Sequence, residues 1–171
     1  MKTVMYLLRH ATAEGQAEGN PPLSRLGIRQ AEATRDFLAI RPIDRCYCSP
    51  LLRAYQTATI VAAPHGMAPQ PLNALADADA EEPVSEVQRR ASTALDNLLV
   101  AHAGRSILVV GHYLVNRIYL AGLMGLPPQR AELVPLDNCG ISVVVRDGEQ
   151  TAVRMLNASF HLQGLTVSEA A

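Results

Sequence analysis

The chain has 171 residues, and its 15 Lys and Arg against 16 Asp and Glu give a formal net charge of −1. With 49% hydrophobic and 18% charged residues, the composition excludes an intrinsically disordered chain. The balanced charge excludes a general attraction for nucleic acid or anionic lipid. No apolar run reaches the roughly 20 residues of a membrane span, and Met1–Leu8 is too short for a signal peptide. We expect one soluble, cytoplasmic domain over residues 1–171 that binds neither nucleic acid nor membranes.

The first part of the chain predicts two strands with a helix between them. Thr3–Leu8 and Ile43–Cys48 are short apolar runs typical of buried strands. The segment Thr12–Pro22 contains glycines and a proline pair and predicts a loop. Ser24 then caps a predicted helix that runs to about Ala39. Apolar residues near helical spacing, expected to face the core, are Leu26, Ala33, Phe37 and Leu38.

The middle of the chain predicts two further helices. Ser49 and Pro50 open the first of them, with Ser49 as the N-cap and Pro50 in the first turn, where its missing N–H costs nothing. This helix leads into Pro64–Pro83, which is irregular and acidic. A strong helical period over Val84–Leu99 predicts a core helix rather than a surface for a partner.

The last part predicts a strand, a helix and a hairpin. Ser106–Val110 is a buried strand, and Leu114–Met124 is a helix followed by glycine and proline stop signals. Ile141–Arg146 and Thr151–Leu156 flank an Asp-Gly turn and predict a β-hairpin. The exposed hairpin edge is a candidate surface for pairing in a homodimer.

The order of these elements predicts an α/β fold. Strand–helix alternation indicates a three-layer α/β/α sandwich with a mainly parallel central sheet, to which the C-terminal antiparallel hairpin is added. Such sheets bind ligands at the carboxyl ends of their strands. Arg9, His10, Ser49 and His112 all follow predicted strands, and Arg53 lies in the first turn of the helix after Ser49. Two histidines and two arginines are therefore expected to meet in one pocket.

This set of side chains suits phosphoryl transfer. Guanidinium groups hold phosphate oxygens with paired, charge-assisted hydrogen bonds. A neutral imidazole can attack phosphorus and form a phosphohistidine, and a second histidine can donate to the oxygens where charge develops. A carboxylic acid is still needed to protonate the leaving oxygen. We expect no metal and no other cofactor, because the arginines supply the positive charge.

Four ordered segments carry a specific resemblance. Leu7–Ala11 contains Arg-His, Pro22–Ala31 contains Pro-Leu-Ser and Gln-Ala, Ser49–Ala58 contains Ser-Pro-Leu-x-Arg-Ala, and Val109–His112 reads Val-Val-Gly-His. Together they resemble the phosphoglycerate mutase-like branch 1 of the histidine phosphatase superfamily. Leu136–Asn138, followed by the hairpin, resembles the C-terminal end of the family. The resemblance extends over about residues 3–161 and implies the phosphoglycerate mutase-like fold.

The resemblance also implies roles for the pocket residues. His10 would be the phosphorylated nucleophile, and Arg9, Arg53 and His112 would form the rest of the phosphate site, with His112 both catalytic and substrate-binding. Asn20, in the loop before the first helix, is a further candidate for contact with a phosphate oxygen.

At the position of the general acid this chain departs from the family pattern. The family usually has a Glu in a Leu-x-Glu context, whereas this chain has Leu75-Ala76-Asp77 and lacks Trp altogether. Asp77 is therefore the first candidate, although an Asp is one methylene shorter. The alternatives in the same acidic cluster are Asp79, Glu81 and Glu82.

Three functions remain open at this point. The favoured one is a metal-independent phosphatase acting on a phosphorylated small molecule or a phosphoprotein. Ala11 stands where the family usually has glycine, and short members that resemble the phosphohistidine phosphatase SixA also have alanine there. Tyr113 is expected to shape the mouth of the pocket. A phosphoglycerate mutase-type transferase is the alternative, and the short Pro64–Pro83 segment disfavours it because mutases enclose their substrate. A non-catalytic phosphate-binding module is the third.

The remaining chemistry-bearing residues have structural interpretations. No second ligand pair has the spacing of a zinc site, so we expect buried apolar cysteines at Cys46, Cys48 and Cys139. Surface or packing roles are expected for His65, His102 and His161. Arg89 and Arg90 are interpreted as ordinary exposed charges.

Overall fold

The computed structural model describes residues 1–15, 19–79 and 81–165. Its six strands are β1 (Lys2–Arg9), β2 (Arg45–Cys48), β3 (Gln70–Pro71), β4 (Ser106–Gly111), β5 (Ile141–Asp147) and β6 (Gln150–Ala158). They form one sheet in the order β3-β2-β4-β1-β5-β6. The pairs among β1 to β4 are parallel, whereas β5 runs antiparallel to both β1 and β6. The predicted parallel sheet with a C-terminal antiparallel hairpin is confirmed.

Helices cover both faces of this sheet. They are α1 (Arg25–Leu38), α2 (Leu52–Ala62), α3 (Val84–Ala101) and α4 (Tyr113–Leu123). α1 packs on α2, and α3 packs on α4. Three apolar clusters result: a large one beneath α3 and α4, one beneath α2, and a small one that includes Ala31 of α1. The predicted α/β/α sandwich is confirmed, and no helix in the described ranges is long and apolar enough to cross a membrane.

The central strands are apolar on both faces because both faces are covered. In β1, Met5 and Leu7 pack beneath α3 and α4, whereas Leu8 packs on the α2 side. The residues of β4 alternate in the same way. This is the continuous apolar pattern expected of strands in a doubly covered sheet. Cys46 and Cys48 face α2 as buried free thiols, in agreement with the apolar interpretation.

The inward face of α1 differs from the prediction. The side chains that it buries are Gly27, Gln30, Ala31, Thr34 and Leu38, whereas Phe37 is 40% exposed. The reason is the close approach of the preceding loop, because a Cβ on Gly27 would overlap the carbonyl oxygen of Thr12. Small and polar residues therefore line the contact, and the prediction that Phe37 faces the core was wrong.

The start of α2 also differs. Its N-cap is Leu51, and no side chain of the capping residue bonds to the helix, so the prediction of Ser49 as the N-cap was wrong. Ser49 lies at the end of β2, fully buried, with its hydroxyl occupied elsewhere. Asn20 supplies a cap instead, because its Oδ1 accepts a hydrogen bond of 2.6 Å from the backbone N–H of Leu52.

The segment predicted to be irregular contains short ordered pieces. Gln70–Pro71 adds a two-residue parallel strand beside β2, and Asn73–Leu75 forms a 3-10 turn. Leu75 is fully buried, which anchors the chain just before the acidic cluster. The core helix predicted from Val84 is confirmed as α3, which buries Val87, Ala91, Leu95, Leu98 and Leu99.

Candidate active site

The carboxyl ends of β1, β2 and β4 meet at one edge of the sheet and form a cleft of about 290 Å³. Its lining residues are Arg9, His10, Thr12, Ala13, Gly15, Pro21, Arg53, Asp77, Tyr113 and Asn138. His112 lies fully buried behind this lining, with its ring centroid 5.0 Å from that of His10. The two histidines and two arginines predicted from the strand ends therefore come together, as the register pairing Arg9 with Gly111 requires.

His10 presents one ring nitrogen to the cleft. Its Nδ1 lies 2.8 Å from the carbonyl oxygen of Ala11, which requires the proton on Nδ1 because the carbonyl can only accept. Nε2 then carries the lone pair. Burial lowers the pKa of His10 to about 3, with His112 and the two arginines adding to the effect and the bond to Ala11 opposing it. The ring is therefore neutral near pH 7, with Nε2 unprotonated.

Backbone and side-chain bonds hold His10 in this orientation. The side-chain amide of Asn138 donates to the carbonyl oxygen of His10 at 2.8 Å. The next peptide is fixed by Thr57, whose Oγ1 accepts from the N–H of Ala11 at 3.0 Å. Cys139 donates its backbone N–H to the carbonyl oxygen of Arg9 at 3.0 Å. Thr57 and Asn138 lie in segments that carry the family resemblance, but no pattern in the sequence assigned them these contacts.

Arg9 is held at the mouth of the cleft. Its Nη1 donates to the carbonyl oxygen of Leu136 at 2.9 Å, and its guanidinium carbon lies 4.9 Å from the ring centroid of Tyr113. Arg117 lies over the same ring at 4.6 Å. Tyr113 therefore has cation–π contacts with two arginines, and it lines the cleft as predicted.

Arg53 contacts both His10 and Asp77. It is almost completely buried in the first turn of α2. Its Nη2 donates to Asp77 Oδ2 at 2.8 Å, and its Nε lies 3.3 Å from His10 Nε2. An N–H donating to His10 Nε2 is consistent with a lone pair at that atom. A single guanidinium thus contacts both residues that the reaction would use.

Ser49 is the hydrogen-bond partner of His112. The Ser49 hydroxyl accepts from the N–H of Leu51 at 3.2 Å and lies 2.7 Å from His112 Nε2. Because a carboxylate can only accept, the Asp77 Oδ2 atom 3.4 Å from Nδ1 favours the tautomer with the proton on Nδ1 and with the Ser49 hydroxyl donating to Nε2. Burial, assisted by Arg53, Arg9 and Arg90, lowers the pKa of His112 to about 3, so the ring is neutral. Nδ1 forms no hydrogen bond to Asp77 or to any other group that the structure describes.

Asp77 alone of the four candidate acids lines the cleft. Its carboxylate is 35% exposed, so a leaving group and water can reach it. Asp79, Glu81 and Glu82 lie outside the lining of the cleft. Asp79 accepts from the backbone N–H of Glu81 at 3.0 Å, and Glu82 is bound by Arg90.

Three buried donors around the cleft have no hydrogen-bond partner within the described ranges. They are Arg9 Nε, Arg53 Nη1 and His112 Nδ1. A buried donor without a partner costs about 1–3 kcal/mol, and more when it is charged. Unsatisfied polar groups are rare in native proteins, and their grouping here indicates a site for an oxyanion, which can accept from several N–H groups at once.

The remaining predicted residues lie outside the lining of the cleft. Asn20 caps α2 through its side-chain oxygen, and its contact with phosphate stays a prediction. His161 bonds Thr34 and stacks on Phe37, and His102 bonds the hydroxyl of Tyr47 at 2.7 Å. These two histidines have packing roles, as expected.

A comparison with family models shows the family to which the chain belongs. The model described as the histidine phosphatase superfamily (branch 1) matches residues 5–82 and 73–159. The chain belongs to this superfamily. The matched ranges include every side chain of the cleft described above, from Arg9 to Asn138. Relatives of this superfamily comprise phosphatases and mutases.

Individual relatives agree with this assignment. The chain is 27% identical over 179 residues to a probable phosphoglycerate mutase GpmB from Yersinia pestis (strain Pestoides F), covering 82% of this chain and 83% of the relative. YhfR from Bacillus stearothermophilus superposes with a TM-score of 0.87 at 20% identity, covering 94% of this chain and 99% of that one. Phosphoserine phosphatase from Entamoeba histolytica, in complex with 3-phosphoglyceric acid, superposes with a TM-score of 0.85 at 18% identity, and the match covers 94% of this chain and 99% of that one. The two structural likenesses show the shared fold.

Proposed function

We propose that this histidine phosphatase superfamily member is a metal-independent phosphatase that hydrolyses a phosphomonoester or a phosphoprotein through a phosphohistidine at His10. The observation that carries the proposal is the grouping of three buried donors without a partner among the described residues, on Arg9, Arg53 and His112, around the unprotonated Nε2 of a neutral His10. Two of these donors belong to guanidinium groups, which supply positive charge where a metal ion would otherwise be needed.

In the first step, His10 Nε2 attacks phosphorus. The new N–P bond forms as the P–O bond to the leaving group breaks, and negative charge grows on the non-bridging oxygens. Arg9, Arg53 and the Nδ1–H of His112 stabilise that charge. Protonated Asp77 gives its proton to the leaving oxygen. The products of this step are the released alcohol, phosphorylated His10 and the Asp77 carboxylate.

In the second step, water hydrolyses the phosphohistidine. The Asp77 carboxylate takes a proton from the attacking water, the N–P bond breaks, and His10 and inorganic phosphate are released. The same residue thus acts as acid and then as base. The exposure of the Asp77 carboxylate, at the mouth of the cleft, supports access of water to the intermediate.

An exposed carboxylate favours hydrolysis over transfer. A mutase must keep the phosphoryl group on the enzyme until it returns to the substrate, which requires that water be excluded. Only a short segment separates Leu75 from the start of α3 at Val84, which leaves little chain for an enclosing lid. The resemblance to a probable phosphoglycerate mutase keeps a transferase as the second candidate. Its signature would be an isomerised sugar phosphate.

The direct test is hydrolysis of p-nitrophenyl phosphate in excess EDTA. We expect wild type to be active under these conditions and His10→Ala to be inactive, because the nucleophile is lost. His65→Ala is the matched control, since His65 lies outside the lining of the cleft. Activity that requires an added metal ion, or that survives His10→Ala, would exclude this mechanism.

A further inference from the structure

Arg90 is a partly buried residue that anchors a loop, rather than the exposed charge that the sequence suggests. It lies on α3, and its side chain is 17% exposed. One nitrogen, Nη1, donates to the carbonyl oxygens of Ala74 and Ala76, each at 2.8 Å. Its Nε and Nη2 form a bidentate pair with Glu82, at 2.6 and 2.8 Å. Its partners thus lie on both sides of Asp77 in the chain.

We infer that Arg90 is a positioning residue, which fixes the loop that carries Asp77 so that its carboxyl group reaches the leaving oxygen. The inference rests on the proposed function, in which Asp77 is the proton donor. Arg90 itself does not line the cleft. It acts through the backbone on either side of the acid.

The described residues of the loop have few other polar attachments. Their hydrogen bonds between residues 77 and 82 are local, such as that from the N–H of Ala78 to Asp77 Oδ1. The Asp77 carboxylate itself accepts a long-range hydrogen bond from Arg53 and lies 3.4 Å from His112 Nδ1. Arg53 is also the group that would hold the phosphate, so its bond to Asp77 must compete with the substrate. The contacts of Arg90 remain when substrate binds, because they lie outside the cleft.

Accurate positioning matters more for an aspartate than for a longer acid. A misplacement of about 1 Å can cost roughly a hundredfold in rate, and the Asp side chain has no extra methylene with which to compensate. The bidentate partner is also relevant to charge. Because Glu82 offsets the charge of Arg90, the contacts of Arg90 fix the loop while adding little net positive charge beside Asp77.

The test combines two esters with one measurement that needs no turnover. Arg90→Gln is compared with Arg89→Gln. In the wild type, the Arg89 side chain is 69% exposed and pairs with Glu86 on the same helix. We expect Arg90→Gln to lower kcat/KM for glycerol 2-phosphate about tenfold or more, within the range that an acid contributes. Hydrolysis of p-nitrophenyl phosphate should change by less than about threefold, because its leaving group needs little protonation. Arg89→Gln should change neither.

Amide hydrogen exchange provides the second readout. In Arg90→Gln, the N–H groups of Ala78 and Glu82, which bond within the loop, should exchange faster than in wild type, with no such change in Arg89→Gln. If Arg90→Gln folds too poorly for assay, Glu82→Gln is the milder variant. This variant keeps the contacts of Arg90 with the two carbonyl oxygens and removes its charged partner. We therefore expect a smaller loss of kcat/KM for glycerol 2-phosphate, again with little change for p-nitrophenyl phosphate.

The results distinguish a failure of the positioning role of Arg90 from a failure of the phosphatase proposal. Unchanged loop exchange in Arg90→Gln, or an equal loss with both esters, would overturn the positioning role while leaving the phosphatase proposal intact. A wild-type enzyme that is inert towards both esters would contradict the proposed function, and the role of Arg90 would fall with it.

Discussion

At the scale of single residues, the chemistry of the cleft depends on which ring nitrogen carries a proton. His10 donates a hydrogen bond from Nδ1 to the carbonyl oxygen of Ala11, which leaves the lone pair on Nε2. The Ser49 hydroxyl is the partner of His112 Nε2, and with Nε2 as the acceptor the Nδ1 atom carries the proton. In the proposed mechanism one neutral histidine is the nucleophile and the other is a donor, because the hydrogen bonds on their ring nitrogens differ.

This account predicts a specific defect for Ser49→Ala. Without the hydroxyl, His112 Nε2 loses the donor that favours a proton on Nδ1. Stabilisation of the transferring phosphoryl group by the Nδ1–H should therefore weaken. We expect kcat to fall about tenfold, which corresponds to about 1.4 kcal/mol, with a smaller change in KM. The tautomer itself is measured from the ¹⁵N shifts of the His112 ring.

Ser142→Ala is the matched control for this variant. Ser142 is also fully buried, and its hydroxyl accepts from the N–H of Asn157, remote from His112. A loss of stability without a change in kcat is expected there. If Ser49→Ala keeps wild-type kcat and the same ring tautomer, Ser49 does not set the state of His112.

The sequence located some of these residues and not others for a physical reason. Arg9, His10 and His112 follow strands whose carboxyl ends meet at one edge, so chain order alone brings them together. Ser49 was expected to cap a helix, and Arg90 to face solvent, because their partners depend on packing between distant segments. The match of Leu75-Ala76-Asp77 to the family's Leu-x-Glu context ranked Asp77 first among the acidic residues, and its contacts with Arg53 and His112 distinguish it in the structure.

At the scale of elements, periodicity predicted the helices better than it predicted their faces. The apolar stripe of α3 is strong, and the structure buries it as expected. The contact face of α1 is set instead by the close approach of the Thr12 loop, which is part of the cleft wall. β6 is the edge strand of the sheet. Its pairing with a second copy in a homodimer stays a prediction.

Two glycines on helices provide a test of this close contact. Gly27→Ala should destabilise the protein by about 1–3 kcal/mol, the usual cost of an overpacked site, because the added Cβ overlaps the backbone of Thr12. Gly122→Ala should stabilise it by about 0.5–1 kcal/mol, since α4 gains helix propensity and the new Cβ meets only Gln88 Nε2, at 3.7 Å. Urea unfolding measures both. Equal effects of the two substitutions would contradict the packing of α1 against this loop.

At the scale of the whole molecule, the sheet determines how the site is assembled. The parallel pairing of β1 with β4 and of β4 with β2 places three strand ends side by side, and the C-terminal segment then closes over His10 through Asn138. Residues far apart in the chain thus form one cleft. The leaving group would lie at the open mouth, beside Tyr113 and Asp77.

The measurement that tests the central claim most directly is detection of the covalent intermediate. Wild type is mixed with p-nitrophenyl phosphate, quenched rapidly in alkali to preserve the N–P bond, and digested for mass spectrometry. We predict one phosphoryl group on the peptide that contains His10, located on that residue, and formed at least as fast as steady-state turnover. Turnover without this adduct, or a phosphoryl group on another residue, would contradict the account.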